Sequence, residues 1–270
     1  MHVLLHRLLR PFSKARIAPP VIALLALATL SGCAVIPYDE SDPDPVEPIN
    51  RIMYGITDLA DRTLIGPAAE LYVRVTPDPI QEGVSNFFDN LGYLDTIIND
   101  FLQGKHAQGF SDLGRFAVNS TAGIFGILDV ASVIGLEEHN EDLGQTLGVW
   151  GAGEGPYLFV PFYGPHNLRD IGNIPMSMLT NPLYYAQSNL ILPLTALSII
   201  DTRARLKSAA KVREEAALDP YIFTREAYRQ NRIYQIYDGN PPSLRMDIDL
   251  NLDSELDREL ESELSWRNAQ

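Results

Sequence analysis

The sequence predicts an all-α protein: one domain of short amphipathic helices, with a midsection that avoids bulk water without crossing a membrane. Three observations carry this. Apolar residues recur at three- and four-residue spacing through most of the chain, the period of a helix face. Strand signals are nearly absent, with few alternating runs and no Asn-Gly or Asp-Gly turn joining two of them. Between Leu143 and Ile200 only Glu154, Arg169 and Asp170 are charged, whereas the chain's average of 21 % would place roughly a dozen charges there.

That midsection offers water few groups that prefer it. A transmembrane helix, however, needs roughly 20 unbroken apolar residues, and here six prolines and seven glycines interrupt every run. Broken backbone survives at membrane depth only where protein or a water-lined cavity satisfies its N–H and C=O groups. Two readings stand at this point: a buried core of short helices, or a body sunk into one leaflet around a polar cavity.

The amino terminus favours the second. Residues 1–32 carry Arg7, Arg10, Lys14 and Arg16, no acid, and an apolar run from Val21 to Leu30, the layout of a secretory signal. The segment ends in Leu30-Ser31-Gly32-Cys33, which resembles the lipobox of bacterial lipoproteins, where lipid is attached to the cysteine and the chain is cut just before it. Cys33 is the single cysteine of the chain, so an intramolecular disulfide is excluded although the compartment would permit one. Several acyl chains at about 0.8 kcal/mol per buried CH₂ give stable anchoring. Ala34 is not aspartate, which by resemblance to sorted lipoproteins points to the outer membrane. Residues 33–47, with Asp39, Glu40, Asp42, Asp44 and Glu47 among prolines, read as an extended lipidated tether.

From Pro48, Ile49, Ile52, Met53, Ile56, Leu59 and Ala60 mark one helix and Pro67 and Pro77 bracket another. Val84, Phe87, Phe88, Leu91, Leu94, Ile97, Ile98, Phe101 and Leu102 form a stripe interrupted at Gly92 and stopped by Gly104. The ordinary expectation for such a stripe is a helix pair facing a core; a membrane-facing stripe has the same pattern. Phe110, Leu113, Phe116 and Ala117 continue it. After Ile200 basic residues return, with Arg203, Lys207 and Lys211 on one helical face, read as solvated in the first instance and as a lipid-phosphate contact in the second. Pro220 opens a tyrosine-bearing helix ending at Asp238-Gly239. Residues 240–270 form an acidic tail whose alternating Asp247-Ile-Asp-Leu-Asn-Leu-Asp253 run reads as solvated or weakly ordered.

The net charge of −14 argues against a nucleic-acid partner, which would want a basic face. His106, His139 and His166 lie far apart, without metal-ligand spacing; His139 amid Glu137, Glu138, Glu141 and Asp142 reads as a loop and helix-start cluster. No Gly-x-Ser-x-Gly elbow is present, and Gly151-Ala-Gly-Glu-Gly155 lacks the Gly-Lys-Ser/Thr ending of a phosphate loop. Catalytic residues, a metal site and any cofactor beyond lipid on Cys33 are therefore not expected.

Seven motifs then come in order: Gly83-Val-Ser-Asn-Phe-Phe-Asp-Asn-Leu-Gly92, Ile98-Asn-Asp-Phe-Leu-Gln-Gly104, Gly114-Arg-Phe-Ala-Val-Asn-Ser-Thr121, Asp129-Val-Ala-Ser132, Glu141-Asp-Leu-Gly-Gln-Thr-Leu-Gly-Val-Trp-Gly151, Gly155-Pro-Tyr-Leu158, and Gly164-Pro165 leading to Arg169-Asp170. They resemble the MlaA (VacJ) family of outer-membrane lipoproteins, from about Asp44 to Gly239. Glu47-Pro48-Ile49-Asn50-Arg51 departs from the family's aromatic-containing opening, and His166-Asn167 stands where a small hydroxyl residue is common. The resemblance implies a helical ring over residues 48–239, lying in the inner leaflet of the outer membrane around an amphipathic channel. It further implies a hairpin and loop at the hole, removal of phospholipids that have strayed into the outer leaflet, transfer to a soluble periplasmic carrier, and association with porin trimers. On that expectation Glu141, Asp142, Arg169 and Asp170, which border the charge-poor segment, line the channel; the competing reading has Arg169 and Asp170 capping a helix. A structural lipoprotein scaffolding an envelope or porin complex is the alternative function, and a phospholipase the third.

Overall fold

Asp44 begins the part of the chain that the computed structural model describes, residues 44–241. The signal segment, Cys33, most of the tether and the acidic tail beyond Pro241 lie outside those residues. Asp44, assigned from the sequence to the tether, belongs to the fold: it is 3 % exposed and accepts hydrogen bonds from Asn50 Nδ2 at 2.8 Å and from Tyr221 Oη.

Helix α1 (Glu47–Ala60) carries Pro48 in its first turn, where the missing N–H has no intrahelical partner to lose. A π-helical turn at Asp61–Ile65 leads into α2 (Gly66–Val75), again with proline in its first turn. Pro77 precedes α3 (Asp78–Leu102), a single 25-residue helix that runs through Gly92, where a helix pair is expected from the sequence. Helix α4 (His106–Thr121) returns antiparallel along it, tied by Asn90 to Ser120 at one end and Gln108 to Asp100 at the other. The short α5 (Val130–Val133) and α6 (Leu143–Val149) are N-capped by Asp129 and Asp142. After the hairpin come α7 (Asn173–Thr180), α8 (Ser188–Arg205) with Pro193 inside it, α9 (Lys207–Ala216) and α10 (Pro220–Ile236). Asp219 caps α10 by accepting from Tyr221 N at 2.9 Å and Ile222 N at 3.2 Å. Among the described residues no helix is long and apolar enough to cross a membrane.

The all-α expectation thus holds with one small addition. Strands β1 (Tyr157–Val160) and β2 (Gly164–Asn167) pair antiparallel, Tyr157 opposite Asn167 and Val160 opposite Gly164. Their three-residue turn sets Phe162 at φ 66°, a left-handed conformation that such loops use in place of an Asn-Gly pair. Buried Asn50 completes the sheet edge. Its Nδ2 donates to Tyr157 O and its Oδ1 accepts from Phe159 N, both at 2.9 Å, as a neighbouring strand would. The apolar core gathers there: Tyr157, Phe159 and Tyr221 are buried, with Met53, Tyr54 and Tyr228 packed around them. Tyr54 meets Phe159 edge to face at 5.4 Å.

Elsewhere the usual partition is reversed. Among the described residues, buried polar and charged side chains outnumber buried apolar ones two to one. The buried face of α3 is Asn90, Tyr93, Thr96, Ile97, Asn99 and Asp100, and that of α4 is Asp112, Arg115 and Asn119 around Gly109. Many large apolar side chains look outward instead: Ile52, Leu59, Leu64 and Phe110 are 61–70 % exposed and Val133 84 %. Along the Val84–Leu102 stripe the core-facing expectation is met only in part: Ile97 is buried, Ile98 and Leu102 are exposed, and the rest are half-buried. Periodicity reports that a helix has two unlike faces, and the neighbours decide which is covered.

Candidate functional site

Three of the four residues expected at a channel converge on α10. Arg232 donates from Nη1 to Asp142 Oδ2 at 2.6 Å, from Nη2 to Asp142 Oδ1 at 2.9 Å and from Nε to Asp170 Oδ2 at 2.8 Å. Arg169 Nε donates to Asp170 Oδ1 at 2.8 Å, and Tyr228 Oη donates to Asp170 Oδ2. Asp170 is 1 % exposed, and both of its oxygens accept from donors inside the protein. Burial by itself would raise its pKa; hydrogen bonds from Arg169, with the charge of Arg232, outweigh that and hold the carboxyl below its ordinary range. Asp142 is likewise lowered against burial, by Arg232. Tyr228 is pushed up, first by burial and then by Asp170.

Local sequence prepares this convergence. Asp142 is held in place as the cap of α6, accepting from Gln145 N at 2.8 Å. Asn167 Oδ1 accepts from Asp170 N at 2.7 Å, which orients the turn after β2; the expected capping role thus falls to Asn167. Gly144 is required by close approach. A Cβ there would stand 2.3 Å from Asp170 Oδ1 and 2.6 Å from Arg232 Nη2, both immobilised by their own bonds.

Glu141, the fourth residue, points elsewhere. Its Oε1 accepts from Lys105 Nζ and its Oε2 from Gln103 Nε2, each at 2.7 Å. Gln103 also reaches Thr146 Oγ1, which in turn donates to Asn99 Oδ1 at 2.8 Å. A third set lies between α3, α4 and α5. Asp112 accepts from Tyr93 Oη at 2.8 Å and lies 3.0 Å from His139 Nδ1, while Arg115 holds Asp129 at 2.7 Å and Leu136 O at 2.7 Å. Burial works against Asp129, but bonds from Ser132, Asn119 and Arg115 bring it down to about 2. The three sets form a polar seam through α3, α4, α6, the turn after β2, and α10. The acidic cluster around His139 is dispersed along it: Glu138 and His139 turn to Arg115 and Asp112, Glu141 to Lys105, and Asp142 to Arg232. Among the described residues no three His, Cys, Asp or Glu side chains gather as metal ligands, and no serine or cysteine bonds a histidine.

Sequence reading missed Arg232, Tyr228, Lys105 and Asp112. The only linear signal was that Tyr228 and Arg232 share a face of α10 at four-residue spacing.

One carboxyl in the seam is strained by its surroundings. Asp100 is fully buried, and as an anion its Oδ2 has no partner. Burial first, then the hydrogen bond that the protonated acid gives to Asp112 and the charges of Asp112 and Glu141, push it up to about 8. The folded chain therefore binds a proton that the unfolded chain releases near pH 4, and stability falls as pH rises from there through about 8. Asp100→Asn, which keeps a donor where the acid keeps its proton, is expected to flatten this loss: melting temperatures at pH 6 and pH 9 should differ by several degrees less than in the native chain. Parallel curves for the two proteins would refute the assignment.

The comparisons with known proteins fit these features. The model of the MlaA lipoprotein family matches residues 42–235. The intermembrane phospholipid transport system lipoprotein MlaA of Escherichia coli is 36% identical over 222 residues, covering 77% of this chain and 86% of that protein. Its namesake from Haemophilus influenzae is 29% identical over 229 residues, covering 80% and 90%. A solved structure described as the structural basis for maintenance of bacterial outer membrane lipid asymmetry superposes with a TM-score of 0.63 at 32% identity, covering 73% of this chain and 99% of that one. With the family model matched over most of its length and relatives at 36% identity, the chain belongs to the MlaA lipoprotein family.

Proposed function

We propose that this protein is an outer-membrane lipoprotein that draws phospholipids out of the outer leaflet through a polar passage and releases them to a periplasmic carrier, maintaining lipid asymmetry. The observation that carries this is the reversed partition of side chains. A body with exposed apolar side chains, polar residues inward and, among the described residues, no spanning helix suits immersion in one leaflet, where hydrocarbon rewards the outer face. A phospholipid's tails can stay in hydrocarbon while its charged head cannot cross it cheaply. A polar opening removes that barrier and no covalent bond need break.

In this reading Cys33 carries the lipid anchor and the body forms a ring. Glu141, Asp142, Arg169 and Asp170 back the channel wall as neutralised pairs, which keep it polar without a field that would trap a charged head group. Porin trimers and a soluble lipid carrier are the protein partners, and no cofactor or metal takes part.

Loss of the gene is expected to raise phospholipid in the outer leaflet and sensitise cells to chelators; an unchanged outer leaflet would dismiss the proposal. A scaffold alone would lose porin co-purification with lipid distribution intact. Immersion has its own test. Phe125 is 74 % and Val133 84 % exposed, so Phe125→Glu with Val133→Glu should weaken acyl-free protein on phospholipid vesicles by about tenfold or more. Unchanged vesicle binding would place these side chains in water.

A further inference from the structure

A second polar feature lies away from the seam, between α2 and the α8–α9 corner. A groove of about 190 Å³ is walled by Glu70, Arg203, Lys207, Lys211 and Glu214 over a floor that includes Ala69. That volume holds roughly six waters. Arg203 is oriented by Asp61, its Nε donating to Oδ1 at 2.7 Å. Its outer nitrogen faces Gly66, where a Cβ would come within 3.8 Å of Nη2; glycine leaves the guanidinium uncovered on this side. Among the described residues neither Lys207 nor Glu70 has an ion pair, and Lys211 has only a 3.7 Å contact with a similarly exposed Glu215. Glu214 has a 3.7 Å contact with Arg213, and its charge and that of Glu70 both act on Arg203; the groove thus presents cations along one helical face with carboxylates at Glu70 and Glu214 beside them. Its floor is apolar where Ala69, Val73, Ala204 and Ala210 line it.

We propose that this groove binds the head group of a zwitterionic phospholipid, a phosphate with a primary ammonium two carbons away. The phosphate is met by Lys207, Lys211 and the free side of Arg203, since ammonium and guanidinium groups give the charge-assisted bonds phosphate oxygens accept. The ammonium is met by Glu70 and Glu214. Its N–H donors distinguish it from a quaternary amine, which has none. A purely anionic head group satisfies the cations but faces two repelling carboxylates. This assignment rests on the phospholipid function proposed above and gives it a lipid preference.

The test uses the full lipidated protein in detergent, with retained lipid read by native mass spectrometry against phosphatidylethanolamine, phosphatidylcholine, phosphatidylglycerol and soluble glycerophosphoethanolamine. The expected result is retention of phosphatidylethanolamine about tenfold above the other two lipids and above the soluble ester. Lys207→Glu should abolish that excess, and Glu70→Gln should raise phosphatidylglycerol retention toward the level of phosphatidylethanolamine. Both residues are exposed, and melting curves establish that the variants fold. Equal retention of the three lipids, or native-like retention by Lys207→Glu, overturns the proposal; soluble ester bound as tightly as lipid overturns the lipid assignment. Outer-leaflet phospholipid measured in cells separates the two ideas. Native asymmetry in a strain lacking the gene removes the transport function, whereas native-like lipid retention by Lys207→Glu beside a disturbed leaflet in that strain removes only the groove.

Discussion

Asp170→Ala is expected to lower the melting temperature by on the order of 10 °C. The carboxylate is buried, and its removal leaves Arg169, Arg232 and Tyr228 without the acceptor they share. Two of those donors are guanidiniums with 7 % of their side-chain surface exposed, so water replaces little of the lost bonding. Breaking one side of a buried ion pair costs about 3–5 kcal/mol, and each kcal/mol shifts the midpoint of a domain this size by about 2–4 °C. Arg232→Met alone should cost a similar amount, because it strands Asp142 and Asp170. The double variant Asp170→Ala/Arg232→Met should lose clearly less than the sum, the signature of a direct interaction. Thermal melts of the four proteins in one detergent measure this. Additive losses, or a single-variant shift under about 3 °C, would mean that Asp170 does not hold the seam together.

Gly123→Ala should be the most damaging of the glycine-to-alanine changes. A Cβ at 123 would lie 2.2 Å from Leu128 O, 2.5 Å from Asn119 O and 2.9 Å from Asn119 Cα, all main-chain atoms that no rotamer can move aside. The loop is also closed by its own bonds, Gly126 N donating to Asn119 O and Leu128 N to Gly123 O, both at 2.8 Å. Ile124, Phe125 and Gly126 follow with φ of 55°, 58° and 90°, a left-handed run that needs this anchor. Relieving the overlap must break the closure, at about 3 kcal/mol. Faster hydrogen exchange at the amides of Gly126 and Leu128 should report it. Gly92→Ala is the control: nothing lies within 4 Å of its Cβ position in the middle of α3, so alanine should be neutral or stabilise by up to about 1 kcal/mol. If the two variants melted alike, backbone overlap would not be what glycine avoids at 123.

Local chemistry made much of the helical framework readable. Pro48, Pro67 and Pro220 stand in first turns because their fixed φ and missing N–H suit that position and little else, and Pro77 immediately precedes α3. Asp238 and Gly239 end α10 with φ of 49° and 80°, as an Asp-Gly pair predicts. The hairpin gave almost no linear signal, because each strand is four residues long and its edge is satisfied by Asn50, 107 positions away from Tyr157. Asp142, Arg169 and Asp170 were legible as polar residues at the border of a charge-poor segment. Their partners on α10 were not, since nothing in the sequence links positions 62 to 90 residues apart.

The sequence by itself determined a helical chain with a signal-like amino terminus, its midsection poor in charge and broken by proline and glycine. Those properties follow from neighbours along the chain. Only the tertiary structure decided which faces are covered: polar side chains of α3 and α4 turn inward while apolar ones such as Ile52 and Leu59 on α1 and Phe110 on α4 stay exposed. Amphipathic spacing is symmetric between a core and a hydrocarbon exterior, so the choice waits on whether distant charges such as Arg232 and Asp142 find one another inside.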